Sequence, residues 1–194
     1  MAAPSSYHEF TGPEALAYDV PGTDAGNEYK IKKVGIVPCP ALPSTTVVYQ
    51  FKSHKFQTLA GYDEDSTLAI DYLLSLKTCN GRIGATGMCL GGHLAYRCAL
   101  DSRVSAAVTY FATDLHSATL GLGMKDDSLA RASEMKAELA MIHGTKDNHV
   151  PPEGRDLIRK TLREKGVVFS WYEVAGAQRE SIVLVHVYCL DMVS

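Results

Sequence analysis

RIGATGMCLGGHLAYRCAL, residues 82–100, predicts a strand that turns directly into a helix. After Arg82, the next five residues are apolar or small, which is typical of a buried strand, and the last ten have the pattern of a helix. Cys89 lies between the two, flanked by Gly87 and by Gly91 and Gly92. A nucleophile at the tip of such a turn needs small neighbours, because larger side chains would collide with the adjoining strand and helix. The motif therefore predicts Cys89 as a nucleophile.

The predicted turn also supports this chemistry. It exposes Cys89 above the carboxyl ends of the strands, where open α/β sheets bind ligands. It aims the amide of Leu90 at a developing oxyanion, and the helix N-terminus favours a thiolate. The glycine spacing fits neither a dinucleotide-binding loop nor a phosphate-binding P-loop. A buried cysteine without a chemical role is the simpler alternative, and the strand–turn–helix context favours the nucleophile.

The sequence around this motif alternates helical and strand patterns. Strands alternating with helices of this length indicate crossover connections and a mostly parallel sheet. The chain is therefore predicted to be a single α/β domain spanning residues 1–194. We predict helices at 63–76, 124–135 (in part) and 153–165, and strands at 104–110, 138–142, 167–174 and, as a short strand, 181–190.

A second candidate site residue lies in a polar loop after the strand predicted at 138–142. The sequence IHGTKDNHVP, residues 142–151, presents Asp147 before the next helix. In hydrolases with a nucleophile at a strand-to-helix turn, an acid after a late strand orients the catalytic histidine. The chain order is nucleophile, acid, histidine, and Cys89 followed by Asp147 obeys it. An aspartate in a loop also commonly serves as a turn or cap residue, and that alternative stays open.

Composition bounds the remaining function classes. The chain has 194 residues, 46% of them hydrophobic, and a net charge of −3, which indicates a globular protein and argues against non-specific nucleic-acid binding. Its longest apolar run, 181–190, is shorter than the roughly 18 residues of a membrane span. Five cysteines without a C-x-x-C pair argue against a metal site or a disulfide framework, so we expect a cytoplasmic location.

Three segments carry a resemblance to a known family: GRIGATGMCLGGHLAYRCALD, AAVTYFATDLHS and IHGTKDNHVPPEGRDLIRKTLREKGVVFSWYEVAGAQ. Together with AAPSSYHEF near the N-terminus, they resemble the dienelactone hydrolase family of the α/β-hydrolase fold, over residues 1–33 and 58–178. The resemblance implies a Cys–His–Asp triad that hydrolyses small lactones or esters without a metal or organic cofactor. By position, it makes Cys89 the nucleophile, Leu90 an oxyanion amide and Asp147 the acid that orients the histidine.

The chain departs from the family pattern around the histidine. The family's catalytic histidine is expected at position 179, where this chain has Arg179, and His149 and His186 are weak substitutes. The segments 34–57 and 179–194 are unmatched, and the resemblance implies a sheet that lacks the family's first strands and last helix. We therefore expect impaired activity.

Two other function classes stay open. The runner-up is a non-catalytic α/β protein that binds a small ester or a protein partner. A redox-sensing role for Cys89 is less favoured, because no resolving cysteine is close in sequence. The natural substrate and the oligomeric state are not predicted by the sequence.

One hypothesis accounts for both unmatched segments, namely translation of retained introns. Val34 codons begin with GT and Gln57 can be encoded CAG, the usual ends of an intron, and removing 34–57 joins its flanks in frame. The codons from Arg179 onward can also contain a splice donor. Sequencing the mature transcript tests the hypothesis, and both segments in the dominant message would contradict it.

Overall fold

The structure, a computed structural model, describes residues 8–9, 34–36, 46–49, 58–77, 79–178 and 184–189. Its helices are α1 (Leu59–Ser75), α2 (Leu90–Cys98) and α3 (Pro152–Glu164), with a 3-10 turn at Ala132–Glu134. Its strands are β1 (His8–Glu9), β2 (Val34–Ile36), β3 (Thr46–Tyr49), β4 (Ile83–Met88), β5 (Val104–Tyr110), β6 (Glu138–Gly144), β7 (Phe169–Val174) and β8 (Leu184–Cys189).

The described strands form one sheet in the order β1-β2-β3-β8-β4-β5-β6-β7. The pairs β4–β5, β5–β6 and β6–β7 are parallel, as the alternating pattern predicts, and this confirms the α/β class. The remaining pairs are antiparallel, and β8 is the short strand predicted at 181–190. Segment 34–57, which the resemblance in sequence left out, contributes β2 and β3 to the sheet. The predicted site therefore lies in the parallel half.

Helix α1 begins four residues before its predicted start at residue 63. The side chain of Thr58 caps it by accepting a hydrogen bond from the backbone N–H of Gly61, at 3.1 Å. Such a cap satisfies one of the amides that have no partner within the helix. The helix packs on the core through a face that includes Tyr62, Ile70 and Leu73.

Helices α2 and α3 cover the parallel strands. Every residue of α2 is buried, whereas α3 buries Ile158 and Leu162 and leaves most of its other residues exposed or half-buried. Pro152 opens α3 and Gly166 follows its end at φ 71°, the positions at which proline and glycine commonly begin and end a helix. Within the described part of the chain, no helix is long and apolar enough to span a bilayer.

The predicted partial helix at 124–135 is wrong for most of its length. The segment forms turns, and only the three residues Ala132–Glu134 make a helical turn of 3-10 type. Asp126 and Asp127 direct their carboxylates to Arg97 of α2 instead of continuing a helix. The backbone of Met124 has a φ of 48°, in the left-handed region, which a right-handed helix cannot include.

Candidate active site

Cys89 occupies the sharp turn between β4 and α2. Its backbone has φ 61° and ψ −123°, a combination that side-chain-bearing residues rarely adopt. Such a conformation costs on the order of 1–3 kcal/mol and persists only where its surroundings hold it. Strained strand-to-helix turns of this kind present nucleophiles in hydrolases. The local structure therefore has the shape that the glycine-flanked motif predicts.

Backbone hydrogen bonds hold this turn from three sides. The N–H of Cys89 donates to the carbonyl of Tyr110 at 2.9 Å. Its own carbonyl accepts from Gly92 (3.0 Å), His93 (3.3 Å) and Thr113 (3.2 Å). A Cβ at residue 92 would lie 2.7 Å from the carbonyl oxygen of Tyr110, so the approach of α2 to β5 requires glycine there.

Apolar side chains surround the thiol. Cys89 is 2% exposed and clusters with Tyr62, Leu90, Leu94 and Leu120, and Leu59 and Phe111 pack against that cluster. The cover thus comes from the start of α1 and from the segment after β5. Leu90 is the first residue of α2, so its amide has no acceptor within the helix. An amide in this position has the geometry expected of an oxyanion donor.

Asp147 lies in the loop between β6 and α3 and is 3% exposed. Its Oδ1 accepts a hydrogen bond from the backbone N–H of His149 at 2.8 Å, which forms a local turn. Its Oδ2 is buried and has no hydrogen-bond partner among the described residues. The turn role left open by the sequence is therefore real, but it uses only one of the two oxygens. The second oxygen is available to orient a histidine.

The loop carrying Asp147 is bonded to the segment that leads to position 179. The N–H of Lys146 donates to the carbonyl of Ala177 at 3.0 Å, and a Cβ at residue 144 would collide with that carbonyl oxygen. Cys89 and Asp147 follow strands two positions apart in the sheet, a lateral separation of about 10 Å. An imidazole can bridge such a gap. Arg179 itself lies outside the described residues.

The two weak substitutes occupy different surroundings. His149 is exposed, and its described hydrogen bond to Asp147 is made by its backbone. His186 lies in β8, where its Cα pairs with Thr86, three residues before Cys89 on the neighbouring strand and thus about 10 Å away along it. The described contacts of neither residue favour it as the base.

Two further histidines lie near Asp147 on the carboxyl side of the sheet. His143 is 1% exposed, stacks on Trp171 at 4.7 Å, and has no hydrogen-bond partner among the described residues for either ring nitrogen. Burial, with the charge of Arg155, lowers the pKa of His143 to about 4. Burial also lowers the pKa of His116, which packs against Gly154. Stacking on Trp171, rather than a hydrogen bond to any described residue, holds the ring of His143.

Sequence reasoning missed a buried pair beside the turn. His93 Nδ1 lies 2.7 Å from the carbonyl oxygen of Thr113, and His93 Nε2 lies 3.1 Å from Asp126 Oδ2. Both side chains are fully buried. The spacing of His93, four residues after Cys89, could have placed it beside the nucleophile on the same helix. Nothing in the sequence pattern pointed to Asp126, because its segment was predicted to be helical.

The described residues contain no group of three or more His, Cys, Asp or Glu side chains arranged to hold a metal ion. The chemistry described above uses a thiol, a carboxylate and backbone amides.

Comparison with known proteins shows the family of this chain. Residues 46–177 match the dienelactone hydrolase family. A Saccharomyces cerevisiae protein named "Putative carboxymethylenebutenolidase" is 50% identical over 186 residues, covering 94% of this chain and 59% of that protein. Carboxymethylenebutenolidase 1 of Cupriavidus pinatubonensis is 33% identical over 111 residues, covering 57% of this chain and 43% of that protein. The chain thus spans about half the length of these relatives.

Solved structures agree at the level of the fold. A dienelactone hydrolase-like promiscuous phosphotriesterase from metagenomic libraries superposes with a TM-score of 0.52 at 19% identity, covering 62% of this chain and 47% of that one. A Mycobacterium tuberculosis puromycin-hydrolysing peptidase gives a TM-score of 0.51 at 16% identity, covering 62% of this chain and 22% of that one.

Proposed function

Because this chain belongs to the dienelactone hydrolase family, we propose that it acts on lactone or carboxylic ester bonds with Cys89 as the nucleophile. The names of its relatives point to a small unsaturated lactone as the substrate class. The observation that carries the proposal is the strained backbone of Cys89 between β4 and α2, at φ 61° and ψ −123°. A buried cysteine without a chemical role has no need of such strain.

The proposed reaction has two steps. The Cys89 thiolate attacks the carbonyl carbon, and the amide of Leu90 stabilises the oxyanion that forms. Collapse of this intermediate breaks the carbon–oxygen bond, leaves a thioester on Cys89 and releases the alkoxide, which takes up a proton. Water then attacks the thioester carbonyl, the carbon–sulfur bond breaks, and the acyl group leaves as a carboxylic acid while the thiol is regenerated. A histidine would serve as the base in both steps, oriented by the buried Oδ2 of Asp147.

We propose that the second step is impaired in this chain. A cysteine keeps a few per cent of thiolate at pH 7 without help, so slow acylation needs no histidine. Hydrolysis of the thioester requires a base that activates water, and position 179 carries an arginine. Loss of a triad member commonly lowers hydrolase rates by about 10⁴ to 10⁶. The chain should therefore become acylated and then turn over very slowly.

The test compares the unchanged chain with Arg179→His, using p-nitrophenyl acetate. We expect the unchanged chain to release about one equivalent of p-nitrophenol per chain and then stall. Arg179→His should raise the steady-state rate by about 10² or more, because it places an imidazole two residues beyond the Ala177–Lys146 hydrogen bond. Mass spectrometry should find the acetyl group on Cys89.

Two cysteine variants serve as the matched pair. Cys89→Ala should abolish acylation. Cys98→Ala, at the end of the helix that follows Cys89, should leave acylation unchanged, since burial raises the pKa of the Cys98 thiol to about 12 and keeps it unreactive. Acylation that survives in Cys89→Ala would contradict the nucleophile. An unchanged chain that binds esters without reacting would favour the non-catalytic binding protein, and ordinary turnover of an unactivated lactone, about 1 per second, would contradict the impairment.

We propose a cytoplasmic location on chemical grounds, because a thiol nucleophile must stay reduced. The proposed partner is a small lactone or ester substrate.

A further inference from the structure

We propose that His93 is a positioning residue for the Cys89 turn and that Asp126 holds it as an imidazolium. The inference concerns the site of the proposed function, but its first claim, the protonation of His93, does not depend on catalysis. It rests on two distances: 2.7 Å from Nδ1 to the carbonyl oxygen of Thr113, and 3.1 Å from Nε2 to Asp126 Oδ2.

The partners of the two ring nitrogens fix where the protons lie. A carbonyl oxygen can only accept, so Nδ1 must carry a proton and donate it to Thr113. In a neutral ring Nε2 would then be a bare acceptor facing a carboxylate oxygen. Both atoms would be buried without a hydrogen bond, which is costly. A proton between Nε2 and Oδ2 satisfies both atoms.

That proton belongs to His93 rather than to Asp126. The other carboxylate oxygen, Asp126 Oδ1, accepts from the backbone N–H of Ser128 at 3.0 Å, from the Ser128 hydroxyl, and from Arg97 at 3.4 Å. Donors of this kind stabilise the ionised form. Burial would raise the pKa of Asp126, but His93 and Ser128 together hold it below its usual value.

The groups that face this pair come from three elements. Arg97 and Tyr96 lie on α2 beside it, and Arg97 is itself paired with Asp63 of α1 and with Asp127. His116 follows β5 and interacts electrostatically with His93. The guanidinium of Arg97 therefore stays paired with Asp63 and Asp127 in a variant that lacks the Asp126 carboxylate.

His93 acts on the nucleophile through Thr113. Its ring fixes the carbonyl of Thr113, while the N–H of the same residue donates to the carbonyl of Cys89 at 3.2 Å. Thr113 lies between Phe111 and Asp114, whose φ values of 39° and 64° also fall in the left-handed region. A segment with several strained residues needs hydrogen bonds of this kind to keep its position relative to the Cys89 turn. The expected consequence of losing it is a misaligned oxyanion donor at Leu90.

Nitrogen-15 NMR of the imidazole rings tests the protonation. At pH 7.5 we expect both nitrogens of His93 to be protonated in the unchanged chain. In Asp126→Asn we expect only Nδ1 to be protonated, because the asparagine amide can donate to a neutral Nε2. The His93 signals are assigned by their absence in His93→Gln. A single protonated nitrogen in the unchanged chain would overturn the ion pair.

The ratio of two reaction rates at Cys89 tests the positioning. Acylation by p-nitrophenyl acetate needs the oxyanion donor, whereas alkylation by iodoacetamide reports only access and thiolate content. His93→Gln, which lacks a donor at the Nδ1 position, should lower the ratio of acylation to alkylation by about tenfold or more. Asp126→Asn keeps the bond to Thr113 and should stay within about threefold of the unchanged chain.

Lys125→Gln, an exposed change beside Asp126, is the control and should leave the ratio unchanged. A ratio preserved in folded His93→Gln, or lowered equally in Asp126→Asn, would overturn the positioning role. If His93→Gln fails to fold, hydrogen exchange at the amide of Thr113 is measured in Asp126→Asn instead. Protection of that amide kept in Asp126→Asn supports the link from His93 through Thr113 to Cys89. Protection lost in this variant contradicts that link. If the unchanged chain is not acylated at all, the hydrolase proposal fails. The NMR result then still tests the His93–Asp126 ion pair, and the exchange measurement still tests the link from His93 through Thr113 to Cys89.

Discussion

At the scale of single residues, His93 and His143 both lie near the carboxyl ends of the parallel strands but have different surroundings. His93 has a carboxylate oxygen and a carbonyl oxygen within hydrogen-bond distance of its two ring nitrogens. His143 faces the ring of Trp171 and lies near Arg155, so its environment favours the neutral ring. A buried histidine can therefore stabilise or destabilise the fold in acid, depending on what its two nitrogens meet.

His143 gives a prediction for the pH dependence of stability. Its pKa is about 4 in the folded chain and about 6.5 when unfolded. Between these values the unfolded chain binds a proton that the folded chain does not, so the free energy of unfolding falls as the pH falls from 6.5 to 4. The loss should reach about 3 kcal/mol and then level off. His143→Phe, which keeps a ring against Trp171, should remove this loss. Urea unfolding between pH 4 and 7.5 measures it.

The control for this prediction is His149→Phe, which replaces an exposed histidine in the following loop. It should leave the pH dependence of unfolding unchanged. An unaltered slope in His143→Phe, or an equal loss of slope in both variants, would contradict the assignment to His143.

At the scale of elements, the sequence predicted the parallel strands well because each is a short apolar run between turn signals. The limits of β5, Val104–Tyr110, agree residue by residue with the pattern. The turn at Cys89 was predictable because strand, glycines and helix are contiguous. The pairing of His93 with Asp126 was not, since it joins residues 33 positions apart and Asp126 lies in a segment of irregular turns. Periodicity carries no signal for such contacts.

The start of α1 was missed for a different reason. The sequence pattern predicted a start at residue 63, but the side chain of Thr58 caps the helix earlier by accepting a hydrogen bond from the N–H of Gly61. The first turn gained in this way contains Leu59 and Tyr62, which belong to the cover over Cys89. A capping side chain therefore determines how far this helix extends over the nucleophile.

The cap predicts a measurable difference between two threonines of this region. Thr58→Ala should lower the free energy of unfolding by about 1 kcal/mol, because it leaves a helix amide without its acceptor. Thr67→Ala, in the exposed middle of α1, should change it by less than about 0.5 kcal/mol, since among the described residues its hydroxyl donates to the carbonyl of Asp63 alone and alanine is a better helix former. Urea unfolding of both variants gives the comparison. Equal effects would contradict the capping role.

At the scale of the whole molecule, the sheet has unequal borders. On one side β8 and β3 extend it beyond β4, so the site strands are paired on both edges. On the other side β7 pairs only with β6 among the described strands. Two large side chains of β7 are more than half exposed: Tyr172 at 56% and Val174 at 51%. Residues two apart in a strand share a face, so these side chains form one apolar strip along an edge strand.

This border predicts self-association of the chain expressed alone. An edge strand with exposed backbone groups and an apolar strip can pair with the same strand of another copy. Lysine side chains on an edge strand commonly prevent such pairing. Tyr172→Lys with Val174→Lys should therefore reduce the oligomer fraction severalfold in size-exclusion chromatography with light scattering over a concentration series. Leu122→Lys, at a similarly exposed apolar residue outside the strands, should not. A monodisperse monomer with a cooperative thermal transition in the unchanged chain would show that this edge does not drive association, and an equal effect of Leu122→Lys would assign it to general hydrophobicity rather than to strand pairing.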